Sequence, residues 1–309
     1  TITAFTNGVD NRLVTATSAT ALNGEANLSF SGSQLLQGGQ TSAGTAGYAG
    51  TLQVNGVNDN VTVGINSFKN NDGGGNLVIG KSRNAASGSF TVLQNNDVIG
   101  AIRWAGDDGN DYESQAASID VRVDGTPGSN DMPGRMIFST TPDGAASPVE
   151  AMRINNAGTV TKPLQPAFMS LNGGGTTLAN ATDVTITLDT EVFDIGSNIS
   201  GNTFTAPVTG KYYFSGSVVA DAGSGNNTRF SESHIYINCS NRKLKFGEEQ
   251  HYTNVNDWWA MSVSGLIDMD ANDTCTLTYF GRRQSGSGTC VTVGSSTDFR
   301  TGLSGYLVC

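Results

Sequence analysis

The chain has 309 residues, a formal net charge of −10 and 40 glycines, and only 14% of its residues are charged. An acidic surface repels phosphate backbones, which argues against nucleic acid as a partner, and no apolar run approaches the roughly 18 residues of a membrane span, which argues against insertion. Gly, Ser, Thr and Asn disfavour helix interiors while 37% hydrophobic residues can fill a core, so the composition predicts an all-β fold.

The chain starts at Thr1, which reads as a processed product or part of something longer. Residues 1–65 read as a first β-rich segment, with alternation at Ala26-Asn27-Leu28-Ser29-Phe30 and Thr51-Leu52-Gln53-Val54. Such short pieces lack the apolar surface to fold alone, and intertwining three copies would supply the missing core. Residues 66–162 form a second unit. Its strand-like runs are Leu77–Ile79, Phe90–Leu93, Val98–Trp104, Ile119–Val123 and Met136–Ser139, separated by turn signals such as Asn95-Asn96-Asp97, Asp124-Gly125 and Pro133-Gly134.

Two strings in this unit carry a chemical alternative. Gly75-Asn76-Leu77-Val78-Ile79-Gly80-Lys81-Ser82 fits the phosphate-loop pattern G-x-x-x-x-G-K-[ST]. That loop needs a strand before it and a helix after it, and Arg83 to Ser89 is a poor helix, so the match is read as chance. Asp107, Asp108, Asp111 and Glu113 could furnish the paired carboxylates, about 5–9.5 Å apart, of a polysaccharide-cleaving enzyme. The structural reading is an Asp-Asp-Gly-Asn turn capping its own backbone, and it is preferred.

Lys81-Ser82-Arg83, Asp97-Val98-Ile99-Gly100, Trp104-Ala105-Gly106-Asp107-Asp108-Gly109, Pro133-Gly134-Arg135-Met136 and Glu150-Ala151-Met152-Arg153-Ile154 occur in that order, followed by Gly158-Thr159-Val160. Together they resemble a module of the tail fibres and related appendages of tailed bacteriophages. Asp10 to Ala16 and Leu22 to Phe30 resemble such fibres less specifically.

Pro163 and Pro166 stiffen the entry to a third unit, residues 163–309. Phe204-Thr205-Ala206-Pro207-Val208-Thr209-Gly210-Lys211-Tyr212-Tyr213-Phe214 resembles the F-x-A-P-x-x-G-x-Y-x-F signature of C1q-like jelly rolls, and Gly302 to Cys309 is similar to that family's last strand. The resemblance implies a C1q/TNF-like β-sandwich head on a homotrimer that binds a partner. The strands read as Tyr212–Ala220, Glu232–Asn238, Trp258–Ile267, Thr274–Phe280, Cys290–Val293 and Gly302–Val308.

If the last strand ends beside the linker, counting back through antiparallel turns places three loops at the far apex: Asp221–Phe230, Asp268–Asp273 and Ser295–Arg300. Their polar residues, Asp221, Asn226, Asn227, Arg229, Asp270, Asn272, Asp273, Asp298 and Arg300, are the expected receptor contacts; the bland reading is solvated turns. Asp268-Met269-Asp270-Ala271-Asn272-Asp273 has spaced oxygen donors but not the glycine and glutamate of an EF-hand. An ordinary turn is preferred there over a calcium site, and no other cofactor or metal is implied. Trp104 and Trp258-Trp259 could be a sugar-stacking platform, though core or interface positions are commoner for aromatics. The four cysteines, Cys239, Cys275, Cys290 and Cys309, all fall in this unit; buried thiols and disulfides both stay open.

These readings describe a non-enzymatic fibre or spike on a virion, held to other virion proteins by its N-terminal segment. Its trimeric head would attach to a host-surface glycan, outer-membrane component or protein. A structural or capsid-decorating fibre is the alternative, and a polysaccharide depolymerase the third.

Overall fold

The computed structural model describes residues 12–16, 22–31, 34–37, 52–54, 61–221, 229–249, 258–285 and 289–309; at 12–37, 229–230, 246–249 and 284–285 the backbone alone is described. Every regular element among them is a β-strand. The chain divides into two compact units, Thr1–Lys162 and Pro163–Cys309.

In the first unit, β1 (Arg12–Ala16), β2 (Leu22–Ser31), β3 (Gln34–Gln37) and β4 (Leu52–Val54) make one sheet in that order, antiparallel except for the β3–β4 pair. A second sheet is an antiparallel meander of β5 (Val98–Ala105), β6 (Gln115–Val123), β7 (Gly134–Thr140), β8 (Val149–Ile154) and β9 (Val160–Thr161). The pleat sends successive side chains to opposite faces. One face of the meander carries Ile102, Ile119, Val121 and Met136 around an apolar hollow; the other carries Arg103, Ser118, Asp120, Arg122 and Arg135. Ile79 lies so close over the apolar face that a Cβ at Gly100 would meet its Cγ2 at 2.3 Å, so only glycine fits there.

Residues 61–97 contain no strand, which corrects the expectation at Leu77–Ile79 and Phe90–Leu93. A strand needs a neighbour to complete its ladder, and among the described residues these segments pair with none. Leu93 turns inward and Ile79 lies over the meander, but Val78 is 85% and Phe90 92% exposed. The phosphate-loop pattern falls in this stretch, with neither strand before it nor helix after it. Its Lys81 lies 3.7 Å from Asp97, which Arg83 also grips through bonds of 2.6 and 2.7 Å. The Arg83 bonds, then the Gln94 N–H, hold the Asp97 carboxyl well below the usual carboxylate range.

The second unit holds β10 (Ala167–Leu171), β11 (Thr177–Leu178), β12 (Asp183–Thr185), β13 (Thr190–Ile195), β14 (Ile199–Ser200), β15 (Thr203–Thr205), β16 (Gly210–Asp221), β17 (Arg229–Cys239), β18 (Lys243–Glu249), β19 (Trp258–Met269), β20 (Thr274–Ser285), β21 (Cys290–Thr292) and β22 (Gly302–Leu307). One sheet runs β11-β21-β16-β22-β10-β13, with β19 also on β16; the other runs β14-β15-β20-β17-β18, with β12 also on β20. β16, β17, β19 and β20 alternate between the two sheets, β19 returning to β16 and β20 to β17, while β17 and β18 form a hairpin within one sheet. That is jelly-roll connectivity.

The aromatic signature is the inside of this sandwich. Along β16, Tyr212, Phe214, Val218 and Ala220 point inward and are fully buried. The Phe168 and Phe204 rings stack at 4.7 Å, and Phe204 meets Tyr212 and Phe214 edge-on, each at 5.5 Å. The buried Tyr212 hydroxyl donates to the Val208 carbonyl at 2.8 Å, meeting the need of a polar atom out of water. Gly210 is required because a Cβ there would sit 2.7 Å from Leu307 Cδ1 and 2.8 Å from the Cys309 carbonyl oxygen.

Of the alternatives left open for the cysteines, the structure has one disulfide, Cys239–Cys275, between residues directly opposite on β17 and β20; Cys290 is a buried thiol and Cys309 an exposed one. Burial pushes the Cys290 thiol pKa up, which keeps it in the neutral form. The disulfide closes a span of 36 residues. Removing it in a Cys239→Ala/Cys275→Ala variant is expected to lower the unfolding free energy by about 3–4 kcal/mol, from restored freedom of the unfolded chain. Urea unfolding of the two proteins at equal concentration checks this; midpoints that coincide would contradict it.

Candidate functional site

The antiparallel registers define the two ends of the jelly roll. Gly210 pairs with Met269 and Lys211 bonds to the last residue, Cys309, while the Leu307 N–H donates to the Pro166 carbonyl at 2.9 Å. This end, where the chain enters and leaves, is the base. At the other end Asp221 pairs with Trp258 and Val291, and Leu171 pairs with Gly302.

The nine predicted contacts therefore do not share one apex. Asp221, Asp298 and Arg300 lie at the apex end. Asp270, Asn272 and Asp273 lie on the β19–β20 turn at the base, beside Ala206 and Thr209. Arg229 begins β17 at the apex end, with only its backbone described, and Asn226 and Asn227 lie outside the described residues. The cause of the misplacement is β18. Its Lys-Leu-Lys-Phe-Gly-Glu-Glu sequence is absent from the expected strands, yet it pairs along β17 from Asn238 to Ser233. Counting without it reverses the direction assigned to β19 and β20.

The base turn is closed on itself. The Asp270 N–H donates to Asp273 Oδ2 at 2.9 Å, Asn241 Nδ2 donates to the same oxygen at 2.6 Å, and Asn272 adopts φ 73°. Asx residues tolerate that left-handed conformation and cap their own turns. Lys211 pairs with Asp268 at 3.1 Å in the open, an interaction that solvent screens. No group of three or more His, Cys, Asp or Glu side chains suited to a metal ion occurs among the described residues.

At the apex, a loop of fixed shape presents Arg300. The Thr301 hydroxyl is fully buried, accepting the Val219 N–H at 3.0 Å and donating to the Val293 carbonyl at 3.1 Å. Ser217 Oγ donates to the Arg300 carbonyl at 2.9 Å, and Ser295 Oγ accepts the Asp298 N–H at 2.9 Å. A Cβ at Gly294 would meet the Asn172 carbonyl oxygen at 2.5 Å, so glycine lets this loop lie flat on its neighbour. The result is a guanidinium 5.5 Å from the centre of the Trp258 ring, within cation–π range, with Asp298 at 3.2 Å from it.

The tandem tryptophans divide their work by strand alternation. Trp259 is 7% exposed and belongs to the core, whereas Trp258 is 53% exposed on the outward face of β19. A flat apolar ring beside a cation and two carboxylates, Asp221 and Asp298, can stack on a sugar or aromatic group and hydrogen-bond around its rim. The available signal for Trp258 was its place one residue out of phase with Trp259.

The carboxylates of the first unit have a different character. Asp107 accepts the Gly109 N–H at 2.8 Å; Asp108 accepts Ser114 Oγ at 2.7 Å and the Asn110 N–H at 3.0 Å; Asp111 accepts the Glu113 N–H at 2.8 Å. The Ser114 bond, followed by those from the backbone, lowers the Asp108 pKa. A general acid needs the opposite shift.

No family model matches the chain, and no curated protein matches it. Among solved structures, the globular domain of the zebrafish complement 1qA protein is similar over 47% of this chain and 98% of its own, at 17% identity and TM-score 0.32. Murine APRIL (47% and 99%, 12% identity, TM-score 0.32) and the PRD1 vertex protein P5 (47% and 99%, 10% identity, TM-score 0.33) are similar as well. The second unit is a jelly roll. That assignment rests on its strand order and on the apolar core between its two sheets.

Proposed function

We propose that this chain is a fibre or spike protein of a tailed-bacteriophage virion, a homotrimer whose jelly-roll head attaches to a host-surface glycan or outer-membrane component. The observation that carries the reading is the apex: exposed Trp258 under the Arg300 guanidinium, with Asp221 and Asp298 beside it, on a buttressed loop at the end opposite chain entry. Binding residues on a rigid sandwich tend to lie on such loops. The ordered motif string of residues 81–160 supports the phage assignment.

Trimerisation is supported by apolar surface that one chain leaves uncovered. Phe68, Val78 and Phe90 stand exposed on the strandless segment, and Leu266, Tyr213 and Tyr306 line up across the outer face of β19, β16 and β22. Patches of this kind mark association surfaces. Three heads on one fibre give three equivalent apices, so weak single contacts add to strong avidity. No catalytic step is part of this function.

The test is binding of the labelled chain to permissive host cells, scored with inhibition of phage adsorption, on material whose sedimentation mass is three times the 32.1 kDa chain mass. Saturable binding that blocks adsorption is the expected result. Trimers that ignore every permissive host would turn the assignment to a structural fibre, and a monomer would overturn the architecture.

A further inference from the structure

The polar face of the β5–β8 sheet holds a cavity of about 340 Å³ lined by four arginines, Arg103, Arg122, Arg135 and Arg153, and by only two carboxylates, Asp120 and Glu150. Its volume is near the lower end of ordinary ligand sites, ~300–1,000 Å³. Three of the arginines have identifiable acidic partners. Arg103 bonds to Asp120 at 3.0 Å, Arg135 to Asp124 at 2.9 Å and Arg153 to Glu150 at 2.6 Å. Arg122 has no ion pair among the described residues.

The register sharpens the imbalance. Arg122 and Arg135 are directly opposite on β6 and β7, an arrangement in which like charges repel. Arg135 is 8% exposed, so the repulsion is not screened by bulk water. The Nε–H groups of Arg122, Arg135 and Arg153 are all buried without an acceptor. Buried donors are nearly always satisfied, and a cavity lined by four arginines against two carboxylates, three of the arginines keeping an unmet donor, suits one acceptor-rich, negatively charged guest.

We propose that this cavity binds an oxyanion, a carboxylate, phosphate or sulfate group, free or carried on a single sugar-sized ring. The guanidinium edge matches the paired oxygens of all three groups, and such a guest would relieve the Arg122–Arg135 repulsion. The site lies wholly in the first unit, and the inference does not rest on the reading of the jelly-roll apex.

The experiment is isothermal titration of the full chain with sodium phosphate, sodium sulfate and glucuronate, with melting temperature followed in parallel. Expected is saturable binding of at least one anion, one per chain, with a dissociation constant in the millimolar range or tighter. It should weaken at least tenfold in Arg122→Gln and less in Arg122→Lys, which keeps the charge but not the fork. Binding of the inorganic anions would identify a free tetrahedral guest, and binding of glucuronate alone an acidic sugar. No saturable heat and no melting shift with any of the three would overturn the proposal. So would equal affinity in folded Arg122→Gln.

Discussion

Phe214→Ala and Phe204→Ala are each expected to lower the unfolding free energy of the jelly roll by about 3–5 kcal/mol, the range for removing a large buried aromatic side chain. Both rings are essentially out of solvent, in one cluster with Phe168 and Tyr212. Their removal strips contacts from both sheets at once, because β15 belongs to one sheet and β16 to the other. Close-packed interiors relax only partly around such a hole. Phe193→Ala supplies the contrast: that ring is half-exposed on β13, and its loss is expected to shift stability by about 0.5 kcal/mol or less in the isolated chain. Urea titrations with a common slope report the difference directly. A loss below 1 kcal/mol for Phe214→Ala would show that the signature aromatics are not what joins the sheets.

That cluster explains why the head was legible in the sequence. Along β16 and β19 the buried positions fall on every second residue, and they include Tyr212, Phe214, Val218 and Ala220 on β16 and Trp259, Met261, Val263, Ile267 and Met269 on β19, so a period-two apolar set and the fold agree. The meander β5–β8 was legible for the same reason, helped by Asn96 and Gly125, which take the positive φ values their turns need. Residues 77–79 and 90–93 have the same alphabet without the outcome. Local pattern states what a segment can pair as, and the pairing partner has to come from elsewhere.

The candidate site was less legible, and the reason is one strand. β18 is a sheet edge bearing Lys243 and Lys245, and charge on an edge is how a sheet discourages further pairing. The feature that protects the edge also hides the strand, and with it the direction of β19. Once β18 is present, Asp270 and Asp273 move to the base and Trp258 to the apex, so a residue first weighed as core becomes the centre of the candidate site.

The corrected ends give a sharp expectation for attachment. On the proposed function, in which three chains attach together to a host surface, Trp258→Ala is expected to weaken cell binding by about 10²–10⁴-fold, because an aromatic anchor is worth about 2 kcal/mol at each site and three sites multiply the loss. Arg300→Ala should act in the same direction by freeing the ring from its cation and the loop from its anchor at Asp298. Asp270→Ala changes charge by the same amount as Arg300→Ala in magnitude but sits at the base, so it should leave adsorption as it was. Cell-binding isotherms on folded variants of equal mass separate the cases. If Asp270→Ala fails and Trp258→Ala binds normally, contact is made through the base, and the apex ring has some other partner. If all variants bind alike while wild type blocks adsorption, attachment belongs to a part of the chain other than the apex ring and the base turn.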